Sequence, residues 1–245
     1  MMNEPVEING IKINITDYRG LNSLISKAIS TGESLKIGYA NANTINLSYR
    51  NHRLKEYLGS FDLIHPDGAG IKAAINFLYP GVYKITRFTG SDFYPVFINN
   101  SIKNNYKLFF FGHTKDVLSK IPLTHKELKI CGMQEGYDYD NNKLIADINA
   151  SKPDILIIGL GTPLQEKWVF ENSSKINAKV IICTGEGIRV FAGIKQRGPV
   201  FLRKLGLEWL YRFSTSPLKY FNRYIIGNPL FLYRIIILKM RKLKA

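Results

Sequence analysis

Six short apolar runs recur up to residue 184, and stretches with helical spacing fill the gaps between them. The runs cover residues 35–40, 61–65, 107–112, 128–131, 154–159 and 179–184. Most are continuous and end in Gly, Pro, Thr or Asn, as strands do when helices cover both faces of a parallel sheet. Helical periodicity predicts helices over 18–30, 44–58, 71–78, 92–104, 114–120, 142–150 and 164–174. A strand-then-helix repeat leaves few topologies, because its crossovers are right-handed and its sheet is doubly wound. The expected fold is α/β, a Rossmann-like, mostly parallel sheet flanked by helices. The polar segment 100–106 reads as a soft seam dividing that sheet into two halves. No internal repeat or low-complexity linker interrupts the pattern.

After Gly193 the character changes. Gln196-Arg-Gly-Pro199 reads as a loop and 200–213 as a helix with aromatic and basic residues interleaved. Pro217 opens a further stretch to Ala245, broken by Gly227-Asn-Pro229. The expected division is an α/β domain over 1–198 and a basic helical appendage over 199–245. From Lys195 onward twelve Lys and Arg stand against one acid, Glu208, so most of the formal net charge of +15 lies in this last fifth of the chain. Such a segment attracts polyanions, either nucleic acid or an anionic membrane surface. The apolar run from Leu230 to Leu238 is about half the length that spans a bilayer, and Arg234 interrupts it. It suits a helix lying in the membrane interface; a helix packed on the core with a solvated basic face is the alternative.

The remaining composition excludes several classes. An apolar content of 45% belongs to a chain with a packed core rather than a disordered one. Cys131 and Cys183 are far apart in apolar surroundings, which predicts buried free thiols in a reducing compartment. Four scattered histidines lack metal-ligand spacing. The segment Met-Met-Asn-Glu-Pro-Val-Glu is acidic and polar, unlike a secretory signal, so a cytoplasmic protein is expected.

Four strand ends carry polar, glycine-rich turns. In His65-Pro-Asp-Gly-Ala-Gly70, Asp67 sets a carboxylate at the carboxyl end of a strand, where open α/β sheets bind ligands. In Gly159-Leu-Gly-Thr-Pro-Leu-Gln-Glu-Lys-Trp168, Gly161 and Thr162 lead into a helix N-terminus suited to a diphosphate. Gln165 and Glu166, on its first turn, point back toward a ligand. This is neither a Walker A loop nor a G-x-G-x-x-G fingerprint. In Cys183-Thr-Gly-Glu-Gly-Ile-Arg189, Gly185 and Gly187 allow close approach of a nucleotide, and Glu186 accepts from sugar hydroxyls. In Tyr39-Ala-Asn-Ala-Asn43, the amides of Asn41 and Asn43 suit sugar hydroxyls or a helix cap. Arg87 is a cation able to steady a leaving phosphate, and Asp92 caps the next helix. Each fragment alone fits an ordinary turn. A parallel sheet brings all four to one edge, and together they describe a ligand cleft.

Taken in order, these segments, with Gln196-Arg-Gly-Pro199 and Gly206-Leu-Glu-Trp-Leu-Tyr-Arg212, resemble the WecG/TagA/CpsF family of bacterial glycosyltransferases (glycosyltransferase family 26). The resemblance covers residues from about 35 to about 225. It implies a GT-E-like fold and transfer of a sugar, with inversion and without a metal or cofactor, from a UDP-sugar to a polyprenyl-diphosphate-linked sugar. Family relatives transfer N-acetylmannosamine, its uronic acid or glucose at the cytoplasmic face of the membrane. On that mapping Asp67 is the general base and Asn41 positions substrate. Tyr39 and Asn43 fall in the same pocket, while Arg87 and the Gln165 segment orient the acceptor or the diphosphate. The basic segment resembles the family's appendage, which closes the site and docks on membrane, with Arg212, Arg223 and Arg234 meeting the lipid diphosphate.

Two departures stand out. Tyr39 replaces a frequent Thr, and Thr184-Gly-Glu-Gly-Ile-Arg189 replaces Gly-Val-Gly-Gly followed by Phe-Asp. Arg189 in place of an acid either favours an acidic donor sugar or pairs with Glu186. A scaffold that has lost its donor site is the first alternative. A nucleic-acid partner is not expected, since it leaves Asp67 and the glycine turns unexplained; self-association remains open.

Overall fold

A computed structural model describes residues 4–83 and 88–244. The chain opens with β1 (Val6–Ile8), β2 (Ile11–Ile13), α1 (Tyr18–Thr31) and β3 (Leu35–Ala40). It continues through α2 (Ala42–Arg50), α3 (His52–Gly59), β4 (Leu63–Pro66), α4 (Ala69–Leu78) and α5 (Gly90–Lys103). The second half holds β5 (Leu108–Gly112), α6 (Lys115–Leu118), α7 (Lys120–Thr124), β6 (Ile130–Gln134), α8 (Asn141–Ser151) and β7 (Ile155–Gly159). Then come α9 (Leu164–Asn172), β8 (Val180–Cys183) and α10 (Ile188–Phe191). The C-terminal helices are α11 (Val200–Lys204), α12 (Glu208–Thr215), α13 (Pro217–Tyr220) and α14 (Gly227–Lys244), with a π-helical turn, Phe221–Ile226, leading into the last.

All six expected strands form, and they make one parallel sheet in the order β4-β3-β8-β7-β5-β6. The two halves are halves of this single sheet. β3 and β4 come from before the 100–106 segment, the other strands from after it, and the β3–β8 pairing joins them. Side chains alternate across the sheet. Phe109 and Phe111 face one apolar layer, with Ile45, Leu58, Ile75 and Trp168. Leu108 and Phe110 face the other, with Leu21, Ile25, Phe97 and Phe191. Cys131 and Cys183 are free thiols, Cys183 fully buried.

The structure adds a hairpin that was not expected. β1 and β2 pair antiparallel around Asn9-Gly10, burying Val6, Ile8, Ile11 and Ile13 and exposing Glu7 and Lys12. The segment after β2 covers the outer edge of β4: the Asn14 amide donates to the Ile64 carbonyl (2.7 Å), and Asn14 Oδ1 accepts from the Ile64 amide (2.9 Å).

The expected helices are corrected in four places, one of them the stretch 114–120, where two short helices, α6 and α7, meet at Ser119. The helix over 44–58 is two, because Asn51 closes α2 and opens α3 in extended backbone. The helix over 200–213 is also two, since Gly206, at φ 78°, turns the chain where Ala69 packs against it. Gly227-Asn-Pro229 is no break. It forms the first turn of α14, which continues directly from the π-helical turn. That helix returns along α2 and α4 and buries Phe231 and Ile235 in the core.

Candidate active site

The carboxyl ends of β3, β4, β7 and β8 open on a cavity of about 670 Å³, closed from above by α12 and the turns leading into α14. Its size is that of a small-molecule site. The first residues of α2, α4 and α5 all line it, so three helix N-termini turn their positive ends toward one space. An anion fits there.

Asp67 stands on this floor, half-buried, just past the end of β4. Its backbone is held by its amide bonding to the Ala40 carbonyl (2.8 Å) and by the next amide, Gly68, bonding to the Phe88 carbonyl (2.9 Å). Oδ1 accepts from the Gly90 amide at the start of α5 (3.1 Å). Oδ2 has one long contact, 3.5 Å, from the Asn41 amide nitrogen. One carboxylate oxygen is thus anchored and the other is largely free. Asn41 both caps α2, its Oδ1 accepting from the Thr44 amide (3.0 Å), and faces Asp67.

Beneath Asp67, His65 is buried with Nδ1 3.2 Å from the Pro66 carbonyl and its ring 4.4 Å from that of Phe88. Burial lowers its pKa against the pull of Asp67, which keeps the ring neutral.

Tyr39, Asn41, Asn43, Asp67, Gly161, Thr162, Gly185, Glu186, Gly187, Arg212 and Arg223 all reach the cavity wall. The two glycines of the β8 turn also lie against tyrosine side chains. A side chain at Gly187 would come within 2.3 Å of the Tyr94 ring, and one at Gly185 within 2.6 Å of the Tyr39 hydroxyl. Both glycines thus also make room for tyrosines of the protein while their backbone lines the cavity.

Gln165 and Glu166 are fully buried behind the wall. Gln165 Oε1 accepts from the Gly185 amide (3.0 Å), while Glu166 Oε1 accepts from Thr162 Oγ1 and Gln165 Nε2, both at 2.9 Å. They tie the β7 turn to the β8 turn. Arg189 also leaves the cavity and pairs with Glu186 at 4.0 Å. Arg234 lies under α14, bonded to the Asn46 carbonyl and Oδ1 and 4.3 Å over the Tyr49 ring, where it fastens the helix to α2. Arg87 lies outside the described residues.

Asp92 is the third residue of α5 rather than its cap. Thr89 caps, and Asp92 accepts from the Thr89 hydroxyl while pairing with Arg197 of the Gln196–Pro199 loop. Sequence reasoning missed Tyr94 and Lys195, both on the cavity wall. Nothing local marks either one.

Glu166 carries a testable consequence. Burial raises its pKa, and Oε2 has no partner. A carboxyl with a raised folded-state pKa stabilises fully below its unfolded pKa, and that contribution is lost as pH rises through the folded value. Glu166→Gln keeps the acceptor for Thr162 and Gln165 without the buried charge. It should melt higher than the wild type at pH 8, with the gap closing as pH falls toward 4. A gap that widens on acidification would refute this account.

Around the mouth, Glu186 meets Lys219 of α13 at 3.2 Å. Burial opposes its charge, but Lys219, Arg189 and His113 outweigh it and hold the carboxyl below the usual range. On α12, Glu208 and Arg212 pair at 2.6 Å. Among the described residues no three His, Cys, Asp or Glu side chains cluster to hold a metal ion. No described helix is long and apolar enough to cross a membrane.

The sequence model of the family described as "Glycosyl transferase WecG/TagA/CpsF family" matches residues 6–245. Curated relatives from Staphylococcus aureus strains MRSA252, MW2 and COL are 29% identical to this chain over 217 residues, covering 86% of it and 84% of themselves. Each is named N-acetylglucosaminyldiphosphoundecaprenol N-acetyl-beta-D-mannosaminyltransferase. With that match running through the sheet, the cavity and the helices that close it, the chain belongs to the WecG/TagA/CpsF family of glycosyl transferases.

Proposed function

We propose that this transferase moves a sugar from a UDP-sugar onto a sugar carried by a polyprenyl diphosphate, with inversion and without a metal. The observation that carries the reading is the state of Asp67, one oxygen fixed by the Gly90 amide and the other open to the cavity. A carboxylate so held can take the proton from an acceptor hydroxyl as that oxygen attacks the anomeric carbon. The UDP leaves from the opposite face, which inverts the centre. Charge on the departing diphosphate is met by helix N-termini and by Arg212 and Arg223, both on the wall. The relatives' name favours N-acetylmannosamine as the sugar and N-acetylglucosaminyl diphosphoundecaprenol as the acceptor, in cell-envelope polymer synthesis; the uronic acid and glucose are the other donors to try.

The test is UDP release by the purified protein, with a panel of UDP-sugars and a synthetic polyprenyl-diphosphate-linked N-acetylglucosamine. Release that needs both one donor and the acceptor, and that persists in EDTA, supports the reading. UDP binding with no release from any donor would point to a different acceptor, and no UDP binding at all would favour the scaffold.

A lipid-linked acceptor requires the protein to meet the inner membrane surface, and we assign that contact to the 199–245 segment. Leu218 is 96% exposed, and Phe221, Ile225 and Ile226 stand clear of the core beside Lys219 and Arg223. Removing everything from Pro217 would also uncover the seat of Phe231 and Ile235, so substitution is the cleaner test. Leu218→Asp with Phe221→Asp should abolish co-sedimentation with anionic vesicles and leave the melting temperature unchanged. Undiminished sedimentation would move the contact elsewhere.

A further inference from the structure

Three acids, Asp67, Glu186 and Glu208, and three cations, Lys195, Arg212 and Arg223, line the cavity, but they are not all paired with one another. Glu208 is taken by Arg212, and Glu186 by Lys219 and Arg189. Two cations on the wall, Lys195 and Arg223, have no ion-pair partner among the described residues. Arg223 sits in the π-helical turn with the C-terminal helices. Lys195 comes from the α/β side, in the loop after α10, and its backbone is fixed. The Ile194 and Lys195 amides both donate to the Arg189 carbonyl at 3.1 Å, and Arg197, two residues on, is paired with Asp92. The ammonium is therefore presented, half-buried, from a rigid base.

An ammonium partly withdrawn from water, without an ion-pair partner and with the Arg212 guanidinium near it, is unfavourable until an anion joins it. The N-termini of α2, α4 and α5 line the same space. We infer that Lys195 is an anion-binding residue of this cavity, seating a phosphate of the substrate's diphosphate together with Arg223. The inference rests on the transferase reading for the identity of that anion.

Lysine differs from arginine here in one measurable way. Burial and the neighbouring Arg212 push Lys195 down to about 8, against the pull of Asp67, Glu208 and Glu186. These groups face it from the β4 turn, the β8 turn and α12, and Arg223 faces the cavity from the π-helical turn. Below that value the seat is charged. Above it the charge is lost, whereas a guanidinium stays protonated throughout.

The experiment is calorimetric titration of the full chain with UDP at pH 7 and pH 9, at constant ionic strength, for wild type, Lys195→Met and Lys195→Arg. The diphosphate of UDP keeps its charge across this range, because its last proton leaves near pH 6; the uracil N3 proton begins to leave toward pH 9, and Lys195→Arg experiences that change equally. Wild-type affinity should fall about tenfold from pH 7 to pH 9, as the lysine gives up its proton. Lys195→Met should bind about ten- to a hundredfold more weakly at pH 7, the loss of one charge-assisted contact, and show little pH dependence. Lys195→Arg should hold its affinity at pH 9.

Equal binding by wild type and Lys195→Met at pH 7, or an alkaline loss as large in Lys195→Arg as in wild type, overturns the inference and leaves the donor reading standing. If the wild type ignores UDP, inorganic pyrophosphate decides. Pyrophosphate binding that Lys195→Met loses keeps the anion seat while the donor reading falls. Absence of both ligands overturns the two together.

Discussion

Asp67→Asn is expected to fold, to bind UDP as the wild type does, and to turn over about 10²–10⁴-fold more slowly, the range for loss of a general base. The substitution is conservative where structure matters. Asn at 67 keeps an oxygen for the Gly90 amide, and neither backbone bond, to Ala40 or from Gly68 to Phe88, involves the side chain. The one new conflict is mild, because the amide nitrogen would meet the Asn41 amide nitrogen, already at 3.5 Å. What disappears is the ability to accept a proton. The loss should fall on kcat with KM for the donor little changed, since proton transfer happens in the transition state rather than on binding. Asp67→Glu sharpens the test. It restores basicity but moves the oxygens by about 1.5 Å, and misplacement of about 1 Å costs on the order of 10²-fold. Near-normal turnover in Asp67→Asn would remove Asp67 as the base. Full activity in Asp67→Glu would argue against a site this tightly positioned.

Much of this arrangement was legible in the sequence, for physical reasons that also mark where the reading stopped. Buried parallel strands announce themselves as continuous apolar runs, and all six formed. The hairpin was not read, although Asn9-Gly10 lies between alternating residues, because β1 and β2 have only three residues each, too short to stand out by periodicity. Within the site, a carboxylate and amides at strand ends converged because a parallel sheet forces them to one edge. Direction was harder. Gln165 and Glu166 turn inward because the first turn of α9 packs toward the β8 turn, and no spacing rule shows that. Arg212, Arg223 and Arg234 look alike as charges, yet the path of α14 across α2 sends only the last away from the cavity. Gly187 also makes room for the Tyr94 ring, 93 residues earlier in the chain, a contact that no local pattern shows.

Gly112→Ala should cost about 3 kcal/mol or more, the scale of strain and overpacking combined, and lower the melting temperature by roughly 6–12 °C for a chain of this size. Gly112 ends β5 at φ 128°, a conformation that side-chain-bearing residues rarely adopt. It also lies directly beside Gly159 of β7, and an added Cβ would come within 2.5 Å of the Gly159 carbonyl carbon. Backbone cannot swing aside as a side chain can, so the two strands must separate at their carboxyl ends. Just beyond Gly159 the chain enters the turn that carries Gly161 and Thr162 onto the cavity wall. The same variant should therefore weaken UDP binding in whatever fraction stays folded. Gly161→Ala separates the two causes. Gly161 has a positive φ of 80°, but nothing lies within 4 Å of a Cβ there, so it bears the conformational strain without the collision. Its cost should stay near 1 kcal/mol, a fall of roughly 2–4 °C. Similar melting shifts for the two variants would mean that backbone conformation alone explains Gly112, and that the close β5–β7 contact is not what fixes the edge of the site.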